Sequence, residues 1–465
     1  MRRLAPTVLT AMLLLASAAA PASGAPSLKV EDFSGDLQIV GSGLAWKDVR
    51  CVRDCVRFPF GQTVRARYLL KRPGMRIAEL ARTDLTTIPG GSNSVIERAD
   101  FAASSTRALM VVEEERNIDD QLSTSATVFA GPLGSRPAQL FECPETFELP
   151  FSLDGDLLAF DESRCVTGSG DVVVRSLADG SVRRVPSGGR RIEALALAGE
   201  RLGVLTYETG TSGPPSGELA VWNLETLTKV ASVPVGPSVE PPAFAVRPDG
   251  ALAFVTFVGE APQSEDCHGT LSLLGPGAVA PQVLATETCN FADFAGDQVV
   301  GRHRRSLFAI PPAGGEHTLL NLGRVELRGA TADGTNVAYA LRTCDGDARL
   351  YQVLVSAAAV GAGAPRCPLR IASQRARVGP KRYFKVTVVS RRGAAGFIEL
   401  RRHDATILDK PFERRAGRRS VRLRLHGTLM RRLLRQGSLQ VTIRTITTER
   451  AGNELRHRRV VTLTP

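Results

Sequence analysis

Residues 151–185 read FSLDGDLLAFDESRCVTGSGDVVVRSLADGSVRRV, and this stretch decides the fold. The Asp154-Gly155 pair marks a tight turn, because glycine readily takes the left-handed backbone that a short hairpin needs. It leads into the short apolar run 156–160. A polar loop with Cys165 follows, then the alternating run 171–177. A second turn at Asp179-Gly180 feeds residues 181–185. Period-two alternation between glycine turns is the pattern of consecutive antiparallel strands.

Working outward, the same unit recurs. Residues 43–46, 107–112, 199–205, 250–255, 296–300 and 334–339 each follow a turn. After a polar loop, each is followed by a second strand, at 64–70, 125–131, 218–224, 269–274, 306–310 and 348–354. With the opening stretch that makes seven units between residues 36 and 366. A repeat of about 40–50 residues with several strands per unit points to a β-propeller. One four-stranded sheet cannot hide its faces; like neighbours around an axis can. The seventh unit runs out in the poor strand sequence AAAVGAG (residues 357–363), while residues 28–33 precede the first unit unassigned. Residues 28–33 are therefore expected to supply the outer strand of the last blade and latch the ring.

Residues 151–160 (FSLDGDLLAF) and 246–254 (VRPDGALAF) resemble the SPDG-x-x-(I/L)-A-F core of WD40-like (PD40, TolB-like) propeller repeats, and 330–339 (ATADGTNVAY) is a looser match. The resemblance covers roughly residues 36–360 and implies a fold rather than one activity. The closing run 433–464 is similar to the immunoglobulin- or fibronectin III-like domains appended to secreted actinobacterial proteins, with Ala451-Gly-Asn453 as part of the pattern, in a resemblance over about 95 residues.

The expected fold is all-β: a seven-bladed β-propeller followed by a C-terminal antiparallel β-sandwich. Residues 1–25 have the features of a signal peptide. Arg2 and Arg3 precede the apolar run 8–20, and small residues lead up to Pro26. The propeller is assigned 26–365 and a basic immunoglobulin-like sandwich 366–465. No later stretch is long and apolar enough to span a membrane as a helix. A secreted or cell-surface location follows, and with it disulfide bonding. The eight cysteines pair by sequence neighbourhood as Cys51–Cys55, Cys143–Cys165, Cys267–Cys289 and Cys344–Cys367. Three of those spans are nearly equal, which suggests one structural solution used three times.

The chain carries a formal charge of +12, but unevenly. Residues 366–465 hold 26 Lys and Arg against 6 Asp and Glu, a net +20; the remainder is net −8. Only Lys381, Lys385 and Lys410 among those 26 are lysines. A basic module of this kind attracts polyanions, such as an envelope polymer. Four aromatics in the strands offer no stacking platform, so specific nucleic-acid binding is not expected.

Within the propeller, binding residues are sought in polar loops. The stretch 113–120 supplies Glu113, Glu114, Asp119 and Asp120. Glu265, Asp266 and His268 form its counterpart three units on, and Arg302, Arg304 and Arg305 a basic cluster in the matching loop of the next. The six histidines are scattered, and no HExxH, GxSxG or P-loop motif occurs. The expectation is a monomeric binding or scaffold protein, not an enzyme, with no cofactor and no metal. Its propeller would face a partner and its basic domain would tether it. The alternatives are a propeller hydrolase or lyase with its site at the channel mouth, and a TolB-like periplasmic interaction scaffold.

Overall fold

The structure, a computed structural model, describes residues 28–30, 33–53, 62–88, 93–119, 121–144, 146, 148–165, 170–208, 216–236, 243–257, 267–322, 327–342, 348–356, 360–361, 370–390, 394–402, 405–414, 417–448 and 454–465. Its described elements are strands, apart from one 3-10 turn at Glu162–Arg164 and one helix, α1, at Gly427–Gln436.

The opening stretch forms four antiparallel strands, Phe151–Asp154, Leu157–Asp161, Val172–Ser176 and Val182–Val185, each paired with the next. Gly155 has φ +54, as the Asp-Gly turn requires. The next sheet repeats the plan with Arg191–Ala198, Arg201–Tyr207, Gly217–Asn223 and Thr228–Val235. Two larger sheets of eight strands each join two such meanders. In one, Ala78–Ile88 pairs with Asn93–Ala103 through Thr87 and Ile88. In the other, the 14-residue strand Gln282–Ala295 ends one meander and begins the next.

The first strands of successive meanders touch in turn. Phe33–Val40 meets Asn93–Ala103, which meets Phe151–Asp154, then Arg191–Ala198, Phe244–Val246, Gln282–Ala295 and Leu327–Asp333; the last returns to Phe33–Val40. The sheets therefore close a ring. Their faces pack against one another in apolar clusters such as Leu205, Leu219, Val221, Val246, Leu252 and Phe254. Gly203 belongs to this contact, since a Cβ there would lie 2.5 Å from Val246 and 2.9 Å from Phe244.

Leu28–Val30 takes the place expected of it. It pairs antiparallel with Ala348–Leu354, completing the sheet that otherwise has only Leu327–Asp333, Asn336–Arg342 and Ala348–Leu354. Val360–Gly361 forms a parallel bridge to Leu320–Asn321, at the outer edge of the preceding sheet.

Except where two meanders join, an innermost strand pairs on one side only, so its other edge presents unpaired N–H groups. Side chains on the neighbouring innermost strand meet several of them. Gln38 Oε1 accepts from Ala103 N at 2.7 Å, Ser152 Oγ from Leu197 N at 3.0 Å, and Asp154 Oδ2 from Gly199 N at 2.6 Å. Asn290 Oδ1 accepts from Ala243 N at 2.5 Å and Asp293 Oδ2 from Ala332 N at 2.7 Å. Burial drives Asp293 up to about 6, against bonds from Ala332, Phe294 and Thr331 that pull it down. Asp36 is likewise pushed up to about 6 by burial, with Lys47 pulling it down.

These two carboxyls hold their protons more tightly folded than unfolded. Their contribution to stability is present below pH 3.8 and lost as pH rises through about 6. Buried Asp48, Glu113 and Asp161 shift in the same direction, as does Asp333. Unfolding free energy is expected to fall between pH 4.5 and 7 by about 2 kcal/mol for each group raised from 3.8 to about 6. Urea denaturation at both pH values checks this in the wild type, Asp36→Asn and Asp293→Asn. The pH slope should shrink in each variant; an unchanged slope would refute the assignment.

The last hundred residues form two sheets. One has three strands, Arg370–Ile371, Tyr383–Ser390 and Gly417–Arg424; the other has five, Arg375–Arg377, Glu454–Thr464, Leu439–Thr448, Ala394–Arg402 and Ala405–Arg414. Both sheets and α1 share one core, which includes Phe384, Val386, Val421, Leu429, Leu433, Ile443 and Val461. The sequence suggests a single run over 369–378; the chain instead crosses there from one sheet to the other. Ala405–Arg414, whose apolar positions do not alternate cleanly, had no sequence signal.

Candidate anion-binding face

Alternation on the three-stranded sheet separates two faces. Phe384, Val386, Val388, Val421 and Leu423 are buried in the core. Opposite pairs on the outer face are Tyr383 with Arg424, Lys385 with Arg422, Thr387 with Ser420, and Val389 with Arg418. Arg418, Ser420, Arg422 and Arg424 are exposed. None of the three strands contains an Asp or Glu. The guanidinium carbons of Arg422 and Arg424 lie 5.0 and 5.9 Å from the Tyr383 ring centroid, within cation-π range.

At its end this face runs into a cleft of about 410 Å³ lined by Arg382, Arg424, Leu425, His426, Gly427, Thr428 and Arg431. Arg382 has φ +64, and its carbonyl accepts from Leu425 N at 2.7 Å, which fixes the corner. A Cβ on Gly427 would stand 3.1 Å from Arg382 Nη1, so glycine lets the guanidinium sit over the start of α1. His426 caps α1 without a side-chain hydrogen bond, and the first turn has no acid. The helix end therefore adds its own positive potential to that of the arginines. Leu429 and Leu433 anchor α1 in the core, and Gly437 at φ +68 ends it. Among the described residues no carboxylate lies within ion-pair distance of Arg382, Arg424 or Arg431. Concentrated guanidinium groups without acids on their own strands favour binding of an anion.

Among the described residues, those named from the propeller sequence lie on strands and hairpin ends as well as in loops. Residues 113–118 are not loop but the end of the strand Arg107–Ile118, laddered to Gln121–Pro132 as far as Ile118 and Gln121. Glu113 is 3% exposed, and its Oε1 accepts from Leu149 N at 2.7 Å, so it ties a connecting segment rather than a ligand. Glu114 pairs with Arg116. Asp119 sits exposed at the hairpin tip with φ +51. Asp120, Glu265 and Asp266 lie outside the described residues, and His268 is exposed. Arg302 is on the strand Gln298–His303, and Arg304 and Arg305 are the exposed turn into Ser306–Ile310. The basic cluster is thus a hairpin end and not a loop, because the ladder runs to His303 and Ser306.

Among the described residues two bridges are present, Cys143–Cys165 and Cys267–Cys289, each spanning 22 residues. They are not one solution repeated. Cys143 reaches forward from one sheet into the loop of the next, whereas Cys267, just before Gly269–Leu274, is tied to Cys289 on Gln282–Ala295 of the same sheet. Cys55, Cys344 and Cys367 lie outside the described residues.

Sequence reasoning missed a charged cluster between the first strands of the first two meanders. Lys47 Nζ lies 3.5 Å from Asp36 Oδ2 and 3.2 Å from Asp100 Oδ1. Asp36 has φ +47, inside an irregular stretch of its strand. The only local signal was an isolated Gly35-Asp36; Asp100 is brought in from far along the chain. Among the described residues, no group of three or more His, Cys, Asp and Glu has metal-site geometry, and no helix is long and apolar enough to cross a membrane.

No family model and no curated protein matches the chain. Solved structures do. The acylaminoacyl peptidase of Pyrococcus horikoshii is similar at 10% identity and TM-score 0.42, over 75% of this chain and 57% of the peptidase. The β-propeller domain of the Trilobed protease from Pyrococcus furiosus is similar at 10% identity and TM-score 0.39, over 69% of this chain and 97% of that domain. TolB from Acinetobacter baumannii is similar at 11% identity and TM-score 0.31, over 67% and 80%. The chain thus spans little more than half the length of the peptidase. The expectation that the protein is not an enzyme is corrected here: the solved structures it resembles include a hydrolase. That likeness locates no catalytic residue in this chain.

Proposed function

We propose that this is a seven-bladed β-propeller joined to a basic immunoglobulin-like β-sandwich, and that it binds surfaces outside the cytoplasm. In this reading the ring presents an interaction face and the basic domain tethers it to an anionic envelope polymer. The observation that carries it is the outer face of the three-stranded sheet. That face has arginines at alternate positions and no acid on its strands, and it runs into a cleft where Arg382 and Arg431 join Arg424. The two disulfides are the bonds expected of a chain outside a reducing compartment.

The test is retention of the full chain on an isolated anionic envelope preparation across a salt series. Strong retention at low salt, released at high salt, is expected. The triple variant Arg418→Glu, Arg422→Glu, Arg424→Glu should be lost from the pellet at every salt concentration. Equal retention of variant and wild type would reject the tether.

A second reading, a hydrolase or lyase with its site near the ring axis, is favoured by Lys47 between Asp36 and Asp100 on adjacent innermost strands.

A further inference from the structure

We propose that the basic face holds an extended, base-free phosphodiester chain lying along the strand Gly417–Arg424, one phosphate for every two residues. This rests on the anion-binding reading above and names its ligand class.

The first argument is spacing. Side chains on one face of an antiparallel strand recur every ~6.8 Å. On this face they are Arg418, Ser420, Arg422 and Arg424, with Lys385 beside Arg422. Two peptide units have as many backbone bonds as the path between phosphorus atoms joined through a three-carbon linker. The two chains, both extended, therefore share a repeat. Each phosphate meets a guanidinium or the Ser420 hydroxyl in register, and no bending of the ligand is needed. Polyphosphate carries its charges closer together than this repeat, and hyaluronate, with one carboxylate per disaccharide, carries them farther apart.

The second argument is chemistry. The face uses guanidinium where a diffuse charge would be served equally by ammonium. A planar fork binds phosphate oxygens in pairs, and Arg422 and Arg424 are oriented in advance by the Tyr383 ring. The third argument is the end of the track. Arg382, Arg431 and the first turn of α1 converge on the cleft that follows Arg424, suited to the more highly charged end of such a chain. Tyr383 is the aromatic of this face, with two arginines lying against its ring, and one such ring gives no platform for successive bases. That argues for a base-free polymer over nucleic acid.

The experiment titrates the full chain with defined glycerol-phosphate oligomers, inorganic polyphosphate, hyaluronate, oligo-dT and phosphatidylglycerol vesicles. Glycerol-phosphate oligomers should bind about tenfold tighter than polyphosphate or hyaluronate of equal total charge. Affinity should climb with length to about four repeats and then level, with a log–log salt slope near about −3. Arg424→Lys and Arg422→Lys keep the charge but lose the fork and the stack; each should weaken binding by about tenfold for the oligomer and much less for polyphosphate. Equal affinity for all the polyanions would overturn the spacing argument and leave the anion-binding reading standing. Tighter binding of oligo-dT would assign the face to nucleic acid, and binding to vesicles alone would assign it to a lipid surface; either overturns the proposal. No binding to any probe removes both readings together.

Discussion

Val30→Asp is expected to lower the unfolding free energy by about 3–5 kcal/mol, the cost of an unpaired carboxylate in an apolar site. Val30 is 4% exposed and packs with Phe33, Trp46, Ala338 and Leu350. Its strand is three residues long, and its pairing to Leu350, Arg349 and Ala348 closes the ring between the two ends of the propeller sequence. The substitution therefore attacks a closure rather than one contact. Hydrogen exchange should report the site: protection is lost in residues 33–46 and 336–354 before it is lost in the opening sheet at 151–185. Val279→Asp is the control, since Val279 is 99% exposed and a surface change there should stay within about 0.5 kcal/mol. If the two variants unfold alike, the N-terminal strand does not latch the ring.

Replacing Cys143 and Cys165 together by Ala is expected to cost about 3 kcal/mol, and so is replacing Cys267 and Cys289, because the closed loops are the same length. The two bridges differ in what they join. Loss of the first separates the strand Ala138–Pro144 from the loop after Leu157–Asp161, across two sheets; loss of the second loosens Gly269–Leu274 and Gln282–Ala295 within one. Guanidinium denaturation should give costs that add in the fourfold variant, as the sites share no contact. Exchange should spread across two sheets in the first variant and stay in one in the second. A negligible effect for either pair would show that its loop is already closed by packing.

Much of the ring was legible from particular residues. Asp154-Gly155 fixes a hairpin turn, and 156–160 with 171–177 fixes strands of known length, since both rest on neighbours in the chain. The latch was legible too, because the last unit lacked an outer strand and residues 28–33 had no other place. The candidate site was legible only as charge. The arginine excess after residue 366 was plain, but the gathering of Arg382, Arg424 and Arg431 around one cleft depends on a corner at Arg382 and on α1 turning at Gly427. The acidic stretch at 113–120 misled because a run of glutamates suggests a loop. In the fold, the ladder to Gln121–Pro132 carries the strand through it, and Leu149 N meets Glu113 from 36 residues away.

By itself the sequence determined the local steps: turns, alternation, the repeat, the division of charge and the two 22-residue cysteine spans that form bridges. Each is set by interactions within a few residues or by composition. Tertiary structure alone decided how sheets meet sideways. Gln38 accepting from Ala103, Asp293 from Ala332, and Lys47 reaching Asp100 join residues 39 to 65 apart. It also decided which bridge crosses sheets. The reason is that an innermost strand leaves one edge of N–H groups unpaired, and the partner that satisfies them is chosen by the closing of the ring, not by the neighbours of either residue in the chain.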